Sequence, residues 1–186
     1  MKGLIKYLAL TAAICIIGSC DDDDQQTTWE QYAGWREQND AWVAEEAARL
    51  NPDGTPYYQK LVPAYNPGAT VLVHYFNDRA DTEGNLSPLY TSVVDVRYVG
   101  RDCTGAGFDS STLATQYGPG IQRFAVNGTI QGWGIALQDM RVGDTCEIIV
   151  PYGLAYGASS SSSIKPYSSL RFNIRLADIY RYEAAQ

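Results

Sequence analysis

The side chains that most often carry acid–base, nucleophilic or metal chemistry are scarce in this chain. Its single histidine, His74, lies in an apolar segment and has no second histidine with which to build a metal site. Ser110 and Ser111 follow an aspartate, but the GxSxG turn of serine hydrolases is missing. The turn at 118–120 has no phosphate-loop lysine after it. We therefore expect neither a metal nor a cofactor, and no covalent intermediate.

From residue 71 onward the apolar residues recur with the period of β-strands. Segments 71–76, 94–99, 124–126 and 146–150 are apolar or alternate with polar residues, and turn residues separate them. The last segment alternates most clearly, with Leu170, Phe172, Ile174 and Leu176 on one face and Arg171, Asn173 and Arg175 on the other. Such alternation predicts an antiparallel sheet that is buried on one face and solvated on the other.

One short helix interrupts these strands. Trp133, Ala136, Leu137 and Met140 follow the i, i+3, i+4, i+7 spacing of an amphipathic helix, and Gly143 follows as a stop signal. An antiparallel sheet with a single helix to cover it predicts an α+β fold.

A second helix is predicted before the sheet. Thr28 and Gln31 have the spacing of a capping box, and the turn at 51–54 ends the helical pattern. Three of the four tryptophans lie in this segment. So aromatic a helix needs a surface to pack on. That surface is either its own domain, or a second copy of the chain or a client protein. With a second copy, the helix would form an oligomer.

The N-terminus has the features of an export signal. Two lysines precede a short apolar run from Leu8 to Ile17, which is too short to span a bilayer. The segment 17–20 resembles a lipobox, so 1–19 is predicted to be a signal peptide and Cys20 a lipidated anchor. An ordinary signal peptide with a chance cysteine is the alternative. The acidic stretch that follows makes 20–27 a tether, which favours the lipoprotein.

The predicted mature chain is acidic, with 12 basic and 21 acidic side chains. This balance opposes binding to nucleic acid or to anionic lipid surfaces. We therefore expect membrane attachment through lipid, and a location in the cell envelope that faces either the periplasm or the surface.

Several motifs, in order, carry a resemblance to one family. They are Val96–Gly100 (V-x-Y-x-G), Phe108–Ser111 (F-D-S-S), Phe124–Trp133 (F-x-V-N-G-T-I-x-G-W), Met140–Asp144 (M-x-V-G-D) and Ile149–Gly157 (I-V-P-x-G-L-A-Y-G). Together they resemble FKBP-type peptidyl-prolyl cis-trans isomerases, and most of all the macrophage-infectivity-potentiator branch.

The resemblance implies a fold and a domain plan. It implies a five-stranded antiparallel sheet wrapped around one short helix over 68–180. A helical N-terminal extension at 28–67 precedes this domain, and a tail at 181–186 follows it. The expected substrates are proline-containing polypeptides, isomerised in an aromatic pocket without a cofactor.

The resemblance also implies the pocket residues. Trp133 would be the floor, and Tyr98, Phe108 and Phe172 the walls. The backbone amide of Ile130 and the hydroxyl of Tyr156 would hold substrate carbonyls. Asp109 would orient the twisted amide, and Ile164 would lie on a loop that closes over the site. Tyr98, Asp109 and Tyr156 are thus the expected catalytic residues.

The chain departs from the family pattern at the rim of this pocket. Gln122 stands where many members have an aromatic wall, Thr129 replaces a valine, and Ser163 and Lys165 replace an apolar residue and a proline. No arginine follows Asp109 closely. The pocket is therefore expected to be more polar and looser at its rim. Two alternatives to an efficient isomerase stay open: a peptide-binding chaperone with little turnover, and an interaction protein that uses the domain as a scaffold.

Two cysteines, Cys103 and Cys146, remain in the mature domain. The oxidising compartment favours a disulfide between them. The topology implied by the resemblance instead puts them at opposite ends of two strands that run the same way, too far apart to bridge. We expect both to be unpaired.

Overall fold

A computed structural model describes residues 27–161 and 163–183; Cys20 and the predicted signal peptide lie outside this part of the chain. The described helices are α1 (Thr28–Gln31), α2 (Ala33–Ala48) and α3 (Gln131–Asp139), with 3-10 turns at Val126–Gly128 and Tyr152–Leu154. The strands are β1 (Gln59–Leu61), β2 (Val71–Tyr75), β3 (Val93–Asp102), β4 (Gly107–Ser110), β5 (Gln122–Ala125), β6 (Thr145–Val150) and β7 (Leu170–Arg181).

The seven strands of the described chain form one sheet in which every neighbouring pair is antiparallel. The order is β1-β2-β6-β7-β3-β4, and β5 pairs with β3 beside β4. The predicted α+β class is confirmed, whereas the expected number of five strands is too low. The additional strands, β1 and β4, have only three and four residues, so they are too short to show a period in the sequence. Strand β1 lies before residue 68, within the predicted extension.

The main core lies between the sheet and α3. All four residues of the predicted helical stripe are buried: Trp133, Ala136, Leu137 and Met140. They face the buried residues of β7, which are Leu170, Phe172, Ile174 and Leu176. Gly143 then turns the chain with a φ of +99°, a conformation in which a side chain would be strained.

The sequence predicted that the opposite face of the sheet is solvated. Part of that face is instead covered by α2. Tyr58, Leu72 and Ile149 are buried there and form a second apolar cluster with the partly buried Trp42 and Val43 of α2. Ile149 therefore lies on the face that alternation assigns to solvent, yet it is fully buried. Of the two alternatives for this helix, the structure shows docking on its own domain.

The N-terminal cap of α1 lies one residue before the predicted position. Thr27 is the cap: its side chain accepts a hydrogen bond from the amide of Glu30, and the Glu30 carboxylate accepts one from the amide of Thr27. A carboxylate in the first turn also interacts favourably with the helix dipole, which glutamine cannot do. The helix then breaks at Tyr32 before α2 begins.

Cys103 and Cys146 are both free thiols, as the topology argument predicted. Strands β3 and β6 flank β7 and run in the same direction. Cys146 stands level with Tyr98 across β7, because both pair with Ile174, whereas Cys103 follows the far end of β3. Two strand spacings and several residues of rise separate them, far beyond the reach of a disulfide.

Candidate functional site

The predicted pocket aromatics form one contiguous cluster around Trp133. Its ring centroid lies 5.1 Å from that of Tyr98, 5.2 Å from that of Phe172 and 5.7 Å from that of Phe124, and all three pairs are nearly perpendicular. Phe108 continues the cluster, 5.6 Å from Phe172. Edge-to-face contacts of this kind are favourable beyond the area that they bury. The cluster therefore forms a closely packed apolar wall.

A glycine on β3 allows this wall to assemble. Gly100 pairs with Phe172 on one side and with Asp109 on the other. A Cβ atom at position 100 would lie 2.7 Å from the ring of Phe108 and 2.9 Å from that of Phe172. The two rings occupy this space, so the packing of the wall requires glycine here.

A polar edge borders the aromatic wall. The hydroxyl of Tyr98 donates a hydrogen bond of 2.7 Å to Oδ2 of Asp109. Among the described residues no cation forms a salt bridge with Asp109. The hydroxyl of Tyr98 is thus the side-chain partner of this carboxylate.

Both tyrosines at this edge hold their protons more tightly than usual. Burial raises the pKa of Tyr98, and the hydrogen bond to Asp109 and the nearby negative charge raise it further. Burial also raises the pKa of Tyr156, with a second contribution from the charge of Asp109. Each hydroxyl is therefore a neutral donor throughout the physiological range.

A cavity of about 250 Å³ lies against this polar edge. Phe108, Asp109, Tyr156 and Ile164 line it, together with serines 159, 160, 161 and 163. Trp133 and Phe172 do not line it, because both are almost completely buried one layer beneath. Seven of the eight predicted pocket residues therefore lie in the cavity wall or in the aromatic cluster behind it.

Ile130 is the eighth residue and lies at a different place. It is the N-cap residue of α3 and lines a separate groove of about 590 Å³ beside Tyr90, Thr129 and Gln138. Among the described residues no acceptor receives a hydrogen bond from the amide of Ile130. This N–H group is therefore available to an acceptor from outside the chain.

Sequence reasoning missed two parts of the site. Phe124 packs against Trp133 and Tyr98, and the signal was its place on β5, two residues before the buried Val126. The serine run at 159–163 has no catalytic motif in the sequence, yet four of its residues line the cavity. No sequence pattern distinguishes serines that face a cavity from those that face solvent.

The described residues contain no group of three or more His, Cys, Asp or Glu side chains that could hold a metal ion. No helix in the same ranges is both long enough and apolar enough to cross a bilayer.

A pH-independent rate is expected if this site is the active site. Because the pKa values of Tyr98 and Tyr156 are both raised, neither hydroxyl loses its proton below its usual range near pH 10. The kcat/KM for an X–Pro peptide should therefore stay constant within about twofold between about pH 6 and pH 9. A bell-shaped profile in this range would contradict the assignment, because it would reveal a titrating catalytic group.

Modest losses are expected when single polar groups of the site are removed. Tyr156→Phe and Asp109→Ala should each lower kcat/KM by less than about a hundredfold, since enclosure in an apolar site does not depend on one hydrogen bond. Steady-state assays of each variant against the wild type measure the effect. A loss of about ten-thousandfold from either would point to a direct chemical role.

Comparison with known proteins places the chain in a family. The family model of "FKBP-type peptidyl-prolyl cis-trans isomerase" matches residues 85–177, half of the chain. A macrophage infectivity potentiator of Trypanosoma cruzi is 38% identical over 105 residues, which cover 56% of this chain and 52% of that protein. An FKBP-type 22 kDa peptidyl-prolyl cis-trans isomerase of Escherichia coli is 32% identical over 144 residues, which cover 77% of this chain and 68% of the relative.

The fold is also similar to that of a solved structure. A crystal structure of a peptidyl-prolyl cis-trans isomerase from Pseudomonas syringae pv. tomato superimposes with a TM-score of 0.62 at 27% identity, covering 80% of this chain and 95% of that one. Thus the chain spans nearly all of this neighbour, but only about half to two thirds of the two curated relatives.

Proposed function

Because the chain belongs to the family of FKBP-type peptidyl-prolyl cis-trans isomerases, we propose that it catalyses rotation about X–Pro bonds in polypeptides. The observation that carries this proposal is the aromatic cluster around Trp133, which borders a cavity edged by Asp109 and Tyr156. Neutral hydrogen-bond donors beside an apolar wall suit a reaction that changes the shape of an amide and leaves its protons in place.

The barrier explains why such a site suffices. A peptide bond resists rotation by about 18–20 kcal/mol because resonance keeps the amide planar. In the twisted state this resonance is lost, so the amide is less polar and less well solvated by water. A dry aromatic surface therefore favours the twisted form over the planar one.

Each polar group has a proposed role in this scheme. Tyr156 is 46% exposed, and its hydroxyl donates a hydrogen bond to a substrate carbonyl. The amide of Ile130, which makes no hydrogen bond within the described residues, donates to another carbonyl of the substrate polypeptide. Asp109, held by Tyr98, orients the twisted amide through its field. Phe108 and Ile164 enclose the proline ring, and the buried Phe172 and Trp133 support them from beneath.

An X–Pro peptide assay tests the proposal directly. The chain from Asp21 to Gln186 would be assayed for cis-to-trans conversion of short peptides by protease-coupled absorbance, with the Trp133→Leu variant as control. We expect conversion to be faster with the wild type than without protein, and the control to lose most of this acceleration. A wild-type rate equal to the spontaneous rate would overturn the proposal.

Peptide binding with little turnover is the second candidate function. It is supported by the burial of Trp133 and Phe172 beneath the cavity, since a covered indole cannot contact a proline ring unless the wall moves. Calorimetric binding of a proline peptide without acceleration in the isomerisation assay would favour this candidate over the enzyme.

We propose that the protein acts outside the cytoplasm, attached by lipid on Cys20. The support is the sequence of the N-terminus: a basic start, a short apolar run, a lipobox-like end and an acidic tether. Lipoprotein acylation supplies more than one chain, which is the condition for stable anchoring.

Cys20→Ala is expected to release the protein from membranes. The C-terminal domain should keep its fold, because residue 20 precedes its first strand by a long segment. Fractionation of cells that express the wild type or the variant, followed by detection in pellet and supernatant, measures the release. A variant that stays in the membrane pellet would contradict the lipid anchor.

A further inference from the structure

The chain between Tyr156 and β7 contacts both the proposed active site and helix α2. We call residues 157–161 and 163–169 the closing loop. Its serines and Ile164 supply more than half of the residues that line the 250 Å³ cavity. The position of this loop therefore decides the size and shape of the cavity.

Asn39 of α2 binds the end of the closing loop. Its side chain is completely buried, its Oδ1 accepts a hydrogen bond of 2.7 Å from the amide of Ser169, and its Nδ2 donates one of 2.8 Å to the carbonyl of Trp35. Asparagine is a poor helix former, and a buried amide is costly unless it is paired. Its place in mid-helix is accounted for by the bond across to the loop.

Trp35 binds the loop one residue earlier. Its indole Nε1 donates a hydrogen bond of 3.1 Å to the hydroxyl of Ser168. That hydroxyl donates in turn to the carbonyl of Lys165, at 2.9 Å, next to Ile164. The Lys165 ammonium also lies 4.5 Å from the centre of the Trp35 ring. A short chain of contacts thus joins α2 to the residue beside Ile164.

Tyr167 connects the helix to the other end of the loop. Its ring packs edge-on against Trp29 at 5.4 Å, and the guanidinium of Arg36 lies over both rings. Its amide donates a hydrogen bond of 2.7 Å to the carbonyl of Gly157, directly after Tyr156. Tyr167 has a φ of +57°, which is unfavourable for a residue with a side chain. Residues of α1 and α2 therefore contact the side chain of the one residue in the closing loop whose backbone is strained, Tyr167, among the residues that the structure describes.

We propose that α2 is a positioning element of the active site, in which Asn39 and Trp35 hold the closing loop so that Ile164 and Tyr156 stay at the cavity. The expected effect on the isomerisation rate rests on the proposed function. The expected effect of α2 on the position of the closing loop does not. Asn39 and Trp35 are positioning residues, since neither lines the cavity.

The experiment compares three variants of the chain from Asp21 to Gln186. Asn39→Ala removes the bond to the Ser169 amide, and Trp35→Phe removes the indole N–H while it keeps an aromatic ring. Trp42→Phe is the matched control, because Trp42 is on the same helix but packs in the second apolar cluster. Urea unfolding first verifies that each variant is folded under the assay conditions.

We expect the first two variants to loosen the loop and slow isomerisation. Hydrogen exchange of the Tyr167 and Ser169 amides should accelerate by about tenfold in Asn39→Ala. The kcat/KM should fall by about tenfold in Asn39→Ala and about threefold in Trp35→Phe. Trp42→Phe should change neither the loop exchange nor the rate.

A double-mutant cycle separates positioning from a general loss of stability. If Asn39 acts through the loop, Asn39→Ala should lower kcat/KM by less than about twofold in an Ile164→Ala background, where the loop has already lost its contact. Additive losses would overturn the proposal. So would unchanged exchange of the loop amides in both Asn39→Ala and Trp35→Phe.

Failure of the proposed function gives a different result. In that case the wild type shows no isomerisation. Hydrogen exchange then reports on the closing loop, and calorimetry measures the affinity of each variant for a proline peptide. Faster loop exchange with weaker peptide binding in Asn39→Ala would still support positioning by α2, whereas wild-type values for both would overturn it.

Discussion

Trp133→Ala is expected to abolish isomerase activity and to lower the free energy of unfolding by about 3–5 kcal/mol. The indole is 4% exposed and contacts the rings of Tyr98, Phe124 and Phe172. Its removal leaves a cavity at the centre of the aromatic cluster, so the walls lose the surface against which they are held. Protease-coupled assays and urea denaturation measure the two effects.

Two further substitutions separate the loss of activity from the loss of stability. Trp133→Leu keeps an apolar side chain in the core, and we expect a folded protein that is at least about a hundredfold less active. Trp133→Phe removes the indole N–H, which is buried without a hydrogen-bond partner in the described structure, so no internal bond is lost. Trp42→Phe, on the other face of the sheet, is the control and should keep full activity. A folded Trp133→Leu protein with unchanged kcat/KM would disprove the pocket assignment.

Asp144→Ala is expected to lower the free energy of unfolding by about 3–5 kcal/mol. The carboxylate is completely buried and accepts hydrogen bonds from Thr82 Oγ1 at 2.6 Å, Asn77 Nδ2 at 3.0 Å and the amide of Arg141 at 2.8 Å. Nε of Arg79 lies 3.4 Å from Oδ2 of Asp144. Removal of the carboxylate leaves the amide of Arg141 without an acceptor and takes one acceptor each from Thr82, Asn77 and Arg79.

Asp139 provides the matched control, because it pairs with the same arginine at the surface. Its carboxylate lies 3.2 Å from Nη1 of Arg79, and its side chain is 44% exposed. Surface ion pairs contribute about 0–1 kcal/mol, so Asp139→Ala should cost much less than Asp144→Ala. Urea denaturation of both variants tests this difference. Equal losses would mean that the buried network adds nothing beyond an exposed pair.

The sequence determined the elements whose signals are local. The alternation from Leu170 to Leu176 predicted the first seven residues of β7, and the stripe from Trp133 to Met140 predicted α3 within two residues. These signals are reliable because side chains alternate every residue along a strand and return to one face about every four residues along a helix. The capping box was displaced by one residue, because Thr27 and Thr28 both have a glutamate or glutamine three residues later.

The motif order also predicted which aromatic residues meet around Trp133. Tyr98, Phe108 and Phe172 come from three different strands, and the structure brings all three to Trp133 or to its neighbouring rings. Composition and period alone contain no such information, since no local pattern records which distant segments will pair. Here the resemblance to a family supplied it.

Only the tertiary structure decided how α2 meets the sheet and the closing loop. Alternation places Ile149 on the solvated face of the sheet, but α2 buries it. Asn39 of α2 accepts a hydrogen bond from the amide of Ser169, which lies 130 residues away in the sequence. Burial and hydrogen bonding across such separations depend on where whole elements dock, and docking is set by the sum of many contacts. Local sequence therefore determined the helices and the longer strands, whereas the packing of α2 determined which polar groups contact the closing loop.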